Sequence, residues 1–302
     1  MNRRDIELPS IGVWCATKTL AGPLSEEVDF LHVLEELGFG MFWIPESFGR
    51  EVMAHVALLL DRSKTLMIGT GIANLWARDP VAMSNGIRTL DEAHPGRVLF
   101  GIGVSHTPNV ARRGQVYRSP LATVRNYLTE MADAPWEGSG DQRTAPVLLA
   151  ALGPRMLELA AELADGAHPF LVTAEHTAGA RKILGDGPIL APEQSVLLMT
   201  DADAAREAGR RHLARYLDRD NYQRSFLRQG FTEEDLADGG SNRLIDAIVA
   251  WGDPEQVAQR IREHLDAGAD HVTVQVVADD LADTAEGLRA LAPLLVGTDQ
   301  AM

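Results

Sequence analysis

Short apolar runs recur along the chain, and amphipathic segments separate them. These runs are nearly continuous in apolar residues rather than alternating, which is typical of strands that are covered on both faces. The eight runs are Ile11–Cys15, Met41–Ile44, Leu66–Thr70, Val98–Ile102, Val147–Ala151, Ala167–Leu171, Val196–Thr200 and His271–Val277. Eight buried strands that alternate with helices predict an α/β fold of the (β/α)8 TIM-barrel type.

Several of the intervening segments carry signals for the start of a helix. Asp79-Pro80 and Asp253-Pro254 each place a capping acid before a proline at the first helical position. Gln256 completes a capping box with Asp253, and Ser25 precedes two glutamates that suit the positive end of a helix dipole. These features predict helices and carry no function of their own.

Two regions are longer than the strand–helix repeat requires. The first runs from Ser105 to Thr144, after the fourth predicted strand, and the second runs from Asp218 to Gly252, between the seventh and the eighth. Long insertions of this kind in compact domains are usually functional or disordered. We found no linker or short-period repeat, so residues 1–302 are predicted to form a single domain with two insertions.

Composition and charge narrow the class of protein. The chain has 302 residues, 45% of them hydrophobic, which is enough for a large core, and a net charge of -15, which argues against nucleic acid and anionic membranes as partners. Cys15 is the single cysteine, which excludes an internal disulfide and favours a reducing, cytoplasmic location. Neither a signal peptide nor an apolar run of the roughly 20 residues that a membrane helix needs is present.

The stretch from Leu66 to Gly103 contains the strongest functional signal. It describes one strand–helix–strand unit, and both of its strands end in glycine-rich segments. Because ligands bind beyond the carboxyl ends of parallel strands, the residues at those ends are candidates for chemistry. They are Gly71, Asn74, Trp76, Arg78, Gly103, Ser105 and His106. No set of His, Cys, Asp or Glu has metal-ligand spacing, so no metal is predicted.

Four stretches, taken in order, resemble the luciferase-like monooxygenase family. They are residues 37–46 (LGFGMFWIPE), 69–80 (GTGIANLWARDP), 95–103 (PGRVLFGIG) and 150–154 (AALGP). The similarity extends over nearly the whole chain, and within the family it is greatest to the branch that uses the deazaflavin coenzyme F420. The resemblance implies a TIM barrel whose cofactor ring lies at the carboxyl ends of the strands.

The resemblance also implies a set of cofactor-binding residues. A non-prolyl cis peptide bond often backs the ring at the end of the third strand, which here is Gly71-Ile72 or a bond within one residue of it. Asn74 would contact the polar edge of the ring, or only cap a turn. The phosphate and ring contacts fall on Gly103, Ser105, His106, Ala151, Leu152 and Gly153. Coenzyme F420 is anionic through a phosphodiester and an oligoglutamate tail, which suits backbone N–H groups at a helix start.

Catalytic and substrate-pocket residues follow from the same comparison. Glu46, after the second strand, is a candidate proton donor or a plain loop carboxylate, and His106 is a candidate for moving a proton or contacting the cofactor. The candidate substrate pocket consists of Cys15, Ser47, Trp76 and His168. For Cys15, Trp76 and His168, burial in the core is the competing interpretation.

The favoured function is F420-dependent hydride transfer to or from a small organic substrate. The alternatives are an FMN-dependent monooxygenase that works with oxygen and a separate flavin reductase, and a flavin or deazaflavin carrier without activity. An aldolase-type barrel would need a lysine in a strand, and the eight runs contain none. Beyond the small-molecule substrate, the expected partners are a second copy in a homodimer and, only indirectly, a reductase.

Overall fold

The computed structural model describes residues 6–138 and 145–296, and within them ten strands form one parallel sheet. The order across the sheet is β7-β6-β5-β4-β3-β2-β1-β10-β8-β9. The strands are β1 (Ile11–Trp14), β2 (Met41–Ile44), β3 (Met67–Asn74), β4 (Val98–Gly103), β5 (Val147–Leu149), β6 (Gly166–Ala167), β7 (Ile189–Leu190), β8 (Glu193–Leu197), β9 (Val249–Trp251) and β10 (Val272–Val276).

Thirteen α-helices connect and cover these strands in the described part of the chain. They are α1 (Leu24–Glu36), α2 (Val52–Arg62), α3 (Pro80–Ala93), α4 (Thr107–Arg112), α5 (Pro120–Ala132), α6 (Pro154–Leu163), α7 (Ala174–Leu184), α8 (Ala202–Leu217), α9 (Asp220–Arg228), α10 (Glu233–Leu236), α11 (Asn242–Ile248), α12 (Pro254–Asp266) and α13 (Leu281–Leu295). None of the helices described is long and apolar enough to cross a membrane.

The sheet is curled, because one extended segment, which contains β7 and β8, pairs with β6 on one side and with β10 on the other. β7 pairs with β6, whereas β8 pairs with β10, and only Ala191 and Pro192 separate β7 from β8. The Ala191 N–H donates to the Ala167 carbonyl on one side, and the Pro192 carbonyl accepts from the Thr273 N–H on the other. The strands therefore point the same way around a common axis, and their carboxyl ends meet at one end of the molecule.

The predicted strands agree with β1 to β5 and with β10, but the sixth and seventh need correction. Of the run Ala167–Leu171 only the first residue belongs to a strand, because Pro169 has no N–H to donate and Leu171 has a φ of 55°. The seventh strand starts at Glu193 rather than Val196 and ends at Leu197. β9 lies inside the segment that was predicted to be an insertion.

Apolar side chains fill both faces of the sheet. The outward faces of the strands pack against the helices in the largest cluster of buried residues, which includes Phe42 and Phe100. Inside the curl, Trp14, Met41 and Trp43 pack with Met67, Leu99 and Leu148. A methyl group built on Gly69 would lie 2.7 Å from the Trp43 ring, so the bare backbone of β3 makes room for this indole.

The helix signals in the sequence are confirmed at two of three positions. Asp79 accepts from the Ala82 N–H, and Asp253 forms a capping box with Gln256. The third helix, α1, begins at Leu24 after Pro23 and has no side-chain cap, so Ser25 lies inside it. Each cap satisfies a backbone N–H that the helix leaves free.

Five histidines with buried or half-buried side chains are held in the neutral form. Burial lowers the pKa of each imidazole, because the charged form is poorly solvated inside the protein. The pKa is lowered to about 3 for His212 and to about 4 for His106, His168, His264 and His271. Burial has the opposite effect on a carboxyl group and raises the pKa of Glu193 to about 7.

Acidification is expected to destabilise the protein. An unfolded histidine titrates near pH 6.5, so between about pH 4 and 6.5 the unfolded chain binds more protons, and the free energy of unfolding falls as the pH falls. From about pH 7 to 5.5 the loss is about 1 kcal/mol for each of the five histidines, offset by a similar gain from Glu193. Urea denaturation at these two pH values measures the net change in the free energy of unfolding. Equal or greater stability at the lower pH would contradict the assignment of neutral histidines.

Candidate active site

A cavity of about 630 Å³ opens at the carboxyl ends of the strands. This is the end at which parallel barrels bind their ligands. Of the residues predicted for the site, the cavity is lined by Glu46, Ser47, Gly71, Ile72, Gly103, Ser105, His106, Ala151, Leu152, Gly153 and His168. Most of the residues predicted at the strand ends therefore line this cavity, and the role of each one stays a prediction.

We call the lining residues at the ends of β3 and β4, which are Gly71, Ile72 and Gly103, the floor of the cavity. Its peptide bond Gly71-Ile72 is cis, which confirms the position predicted from the family resemblance. The Trp14 Nε1–H donates to the Gly71 carbonyl at 2.9 Å, and a methyl group built on Gly71 would lie 2.4 Å from that nitrogen. A methyl group on Gly103 would lie 2.9 Å from the Ile72 side chain. Glycine at both positions leaves a flat surface that a planar ligand can approach closely.

Five arginines line the cavity: Arg155 on α6, Arg215 on α8, Arg219 between α8 and α9, and Arg224 and Arg228 on α9. Arg224 has an exposed partner, Asp220, at 3.7 Å, but the other four form no ion pair within the described residues. We call these five residues the arginine wall. Four arginines without an ion pair in the described structure, in a protein with a net charge of -15, form a place where an anionic ligand could bind.

Arg219 is the most enclosed member of the arginine wall. Its Nε–H donates to the Arg215 carbonyl at 2.8 Å, whereas its Nη1 is buried and has no partner among the described residues. An unpaired buried donor is costly, and a phosphate or carboxylate oxygen would satisfy it. Arg228 faces the start of α6, where a methyl group built on Gly153 would lie 3.1 Å from its Nη2.

Sequence reasoning missed the arginine wall. The sequence shows four arginines at positions 215, 219, 224 and 228, but they are divided between α8, α9 and the turn that joins them, so their spacing does not place them on one helix face. They belong partly to the second predicted insertion, whose position over the cavity the local pattern does not reveal.

His106 follows β4 and faces the arginine wall. Burial, and secondarily the neighbouring Arg219 guanidinium, lowers the pKa of its imidazole to about 4. Its Nδ1 is buried without a hydrogen-bond partner in the described structure, and its ring centroid lies 5.7 Å from that of Tyr222. A neutral imidazole at this place can bond a ligand or accept a proton, but it does not act as an acid at neutral pH.

Glu46 borders the cavity, but its carboxylate is already occupied. Oε2 accepts from the Asn74 backbone N–H at 2.7 Å and from Arg78 Nη1 at 3.0 Å, and Oε1 accepts from Arg78 Nη2. Both side chains of this ion pair are nearly buried, with 4% and 9% of their surface exposed. These contacts suit a residue that fixes the end of β3 better than they suit a proton donor.

Four predicted candidates do not line the cavity: Arg78, which is occupied by its ion pair with Glu46, and Asn74, Trp76 and Cys15. Asn74 uses its Oδ1 to accept from the Trp76 N–H at 3.0 Å, which is the turn-capping alternative, and Trp76 donates its indole N–H to the Val104 carbonyl at 2.9 Å. Cys15 lies in the core between the sheet and the helices, where burial raises the pKa of its thiol. Their predicted ligand contacts are corrected accordingly, because these groups already have partners or are buried within the protein.

Replacing Glu46 with glutamine is expected to lower the free energy of unfolding by about 1–3 kcal/mol, because an ionic contact with a nearly buried arginine is weakened. Urea denaturation measures the effect. The matched control is Glu162→Gln, which breaks an ion pair with Arg125 whose side chains are 53% and 44% exposed, and which should change the free energy of unfolding much less. Equal losses in the two variants would contradict the structural role of Glu46.

Comparison with known proteins identifies the family. A model of the luciferase-like monooxygenase family matches residues 10–271, so the chain belongs to this family. Among curated proteins it is similar to the 5,10-methylenetetrahydromethanopterin reductase of Archaeoglobus fulgidus, with 27% identity over 80% of this chain and 87% of that protein.

Two solved structures share the fold. One is an F420-dependent secondary alcohol dehydrogenase in complex with an F420-acetone adduct, with a TM-score of 0.73, 18% identity and coverage of 96% of this chain and 99% of that one. The other is the coenzyme F420-dependent tetrahydromethanopterin reductase of Methanopyrus kandleri, with a TM-score of 0.72, 19% identity and coverage of 95% and 98%. At this identity the likeness concerns the fold.

Proposed function

We propose that the protein is an F420-dependent oxidoreductase that transfers a hydride to or from a small organic substrate. One observation carries the proposal: the floor at the strand ends lines the same cavity as five arginines, four of which form no ion pair within the described residues. The family membership and the reductases and dehydrogenases among the similar proteins support the same activity.

The residues present fit this cofactor at both of its ends. Gly71, Ile72 and Gly103 offer the flat surface for the deazaflavin ring. The start of α6 at Gly153, with Arg228 beside it, provides backbone N–H groups and a guanidinium for the phosphodiester. When bound, the cofactor supplies a ring carbon that gives or takes the hydride, while the protein orients the ring and excludes water.

The number of cations favours F420 over the alternative cofactor, FMN. FMN carries one phosphate, whereas F420 adds the carboxylates of its glutamate tail, and the arginine wall offers five guanidinium groups. The carrier hypothesis predicts the same binding without turnover, so it is separated from an enzyme by assay and not by the site. A homodimer and the indirect involvement of a reductase stay predictions.

We also propose that the curled sheet corresponds to a (β/α)8 barrel and that the chain acts as one domain. In this scheme β7 and β8 are two halves of the seventh strand, and β10 is the eighth. α4 then belongs to the insertion after the fourth strand, whereas α5 is the barrel helix that packs between α3 and α6, and α9 to α11 form most of the insertion before the eighth strand. Residues 139–144 of the first insertion lie outside the described residues.

Fluorescence titration of the purified protein with F420, with FMN and with the deazaflavin nucleoside that lacks the phosphodiester and tail tests the proposal. We expect F420 to bind at least about tenfold more tightly than the nucleoside, because only F420 reaches the arginines. Tight binding of FMN with no response to F420 would overturn the choice of cofactor, and equal binding of F420 and the nucleoside would remove the arginine wall from the site.

A further inference from the structure

His168 is a buried histidine whose tautomer is fixed by its surroundings. It follows β6, is 3% exposed, and lines the cavity. Its Nδ1 lies 2.6 Å from the Ala191 carbonyl oxygen. Because a carbonyl can only accept, the ring hydrogen must be on Nδ1, and Nε2 is left with a lone pair.

The orientation of the His168 ring is fixed as well. It stacks on the Trp43 indole with ring centroids 4.7 Å apart and an interplanar angle of 13°. Its Nε2 is directed towards the cis peptide at the floor, since a methyl group built on Gly71 would lie 3.0 Å from it. Nε2 is buried and has no hydrogen-bond partner in the described part of the chain.

A second histidine, His271, is held in a similar way, but both of its ring nitrogens have hydrogen-bond partners within the protein. Its Nδ1 also bonds to a carbonyl, that of Pro9, but its Nε2 accepts the Trp43 Nε1–H at 3.0 Å. The corresponding indole near His168, that of Trp14, donates to the Gly71 carbonyl instead. The two imidazoles are therefore held alike, and only the one that borders the cavity keeps an unused acceptor.

We propose that Nε2 of His168 is a ligand-binding acceptor, which takes a hydrogen bond from an O–H or N–H group of the molecule bound in the cavity. This inference rests on the proposed function and adds a recognition element to it. The donor is either the N–H of the deazaflavin pyrimidine ring or the hydroxyl of an alcohol substrate. Leaving a buried acceptor unpaired is unfavourable, and a bound donor removes that cost.

Two substitutions separate binding from a structural role. In His168→Asn the side-chain amide N–H can still donate to the Ala191 carbonyl, but no acceptor remains at the position of Nε2. In His168→Gln an amide oxygen can reach the position of Nε2, but the bond to Ala191 is lost. We expect the melting temperature to fall more in the glutamine variant, and ligand affinity to fall by about tenfold only in the asparagine variant. If one variant showed both the larger fall in melting temperature and the loss of ligand affinity, the proposal would be overturned.

Nuclear magnetic resonance of ¹⁵N-histidine-labelled protein identifies the donor. The His168 Nε2 signal, assigned by its absence from His168→Asn, is followed in the free protein, with F420, and with F420 plus 2-propanol. A shift on adding F420 assigns the donor to the cofactor, and a shift only on adding 2-propanol assigns it to a substrate hydroxyl. If F420 quenches fluorescence but neither addition moves the signal, the acceptor role of His168 is wrong and the proposed function stands. If F420 does not bind, both the acceptor role of His168 and the proposed function are wrong.

Discussion

Replacing Arg219 and Arg228 together with glutamine is expected to weaken F420 binding by about 100-fold at low ionic strength. Each guanidinium is expected to make a charge-assisted hydrogen bond to the anionic part of the cofactor, and losing one such bond costs roughly a factor of ten. The measurement is the dissociation constant from fluorescence titration. Binding of the deazaflavin nucleoside should change little, because it has no phosphodiester to lose contact with.

The control for this variant is Arg211→Gln. Arg211 lies on α8 and is exposed, and it pairs with Glu207 outside the cavity at 3.2 Å. Its loss removes a positive charge without touching the arginine wall, so F420 affinity should stay within about threefold. The difference between the double variant and the wild type should shrink in high salt, because ions screen exposed charges. A similar loss of affinity in the control would show that the arginine wall acts only through the overall charge of the protein and not through contact with the cofactor.

Replacing Gly71 with alanine is expected to reduce F420 affinity by more than about 100-fold. The added methyl group would lie 2.4 Å from Trp14 Nε1 and 3.0 Å from His168 Nε2, so the floor would have to shift where the ring is expected to lie. Overpacking of this kind also costs about 1–3 kcal/mol of folding free energy. Affinity and urea denaturation are measured on the same preparation.

Gly179→Ala is the matched control for this substitution. Gly179 lies within α7, and a methyl group built on it has no neighbour within 4 Å. Alanine is the better helix former, so this variant should keep its F420 affinity and gain up to about 1 kcal/mol of stability. If Gly71→Ala bound F420 as well as Gly179→Ala does, the ring would not rest on the backbone of β3.

Most of the fold could be predicted from the pattern of apolar residues, and the errors have local causes. β1, β2, β4 and β5 are detected because their residues are almost all apolar, and β3 and β10 because the runs that contain them have more apolar than polar residues. β8 begins with Glu193 and Gln194, which are polar but buried, because Glu193 bonds to Ser195 and Gln194 bonds to His264 and a backbone carbonyl. A hydrophobic pattern cannot show a strand whose polar side chains find partners inside the protein.

The candidate site was predictable only where it depends on chain-local features. Gly71, Gly103 and Gly153 could be found because each lies just after a predicted strand. Whether a nearby side chain reaches the cavity depends on hydrogen bonds that spacing does not fix: Trp76 turns its indole to the Val104 carbonyl, and Asn74 caps the backbone of Trp76. The arginine wall comes from helices far along the chain, so only the folded structure brings it to the strand ends.

A crystal structure of the protein with F420 tests the central claim most directly, which is that the strand-end floor and the arginine wall bind the two parts of one cofactor. The account predicts that the deazaflavin ring lies against the Gly71-Ile72 peptide and that the phosphodiester or tail lies within hydrogen-bonding distance of Arg219 or Arg228. A ring bound away from that peptide, or an anionic chain that leaves both arginines without contact, would contradict it.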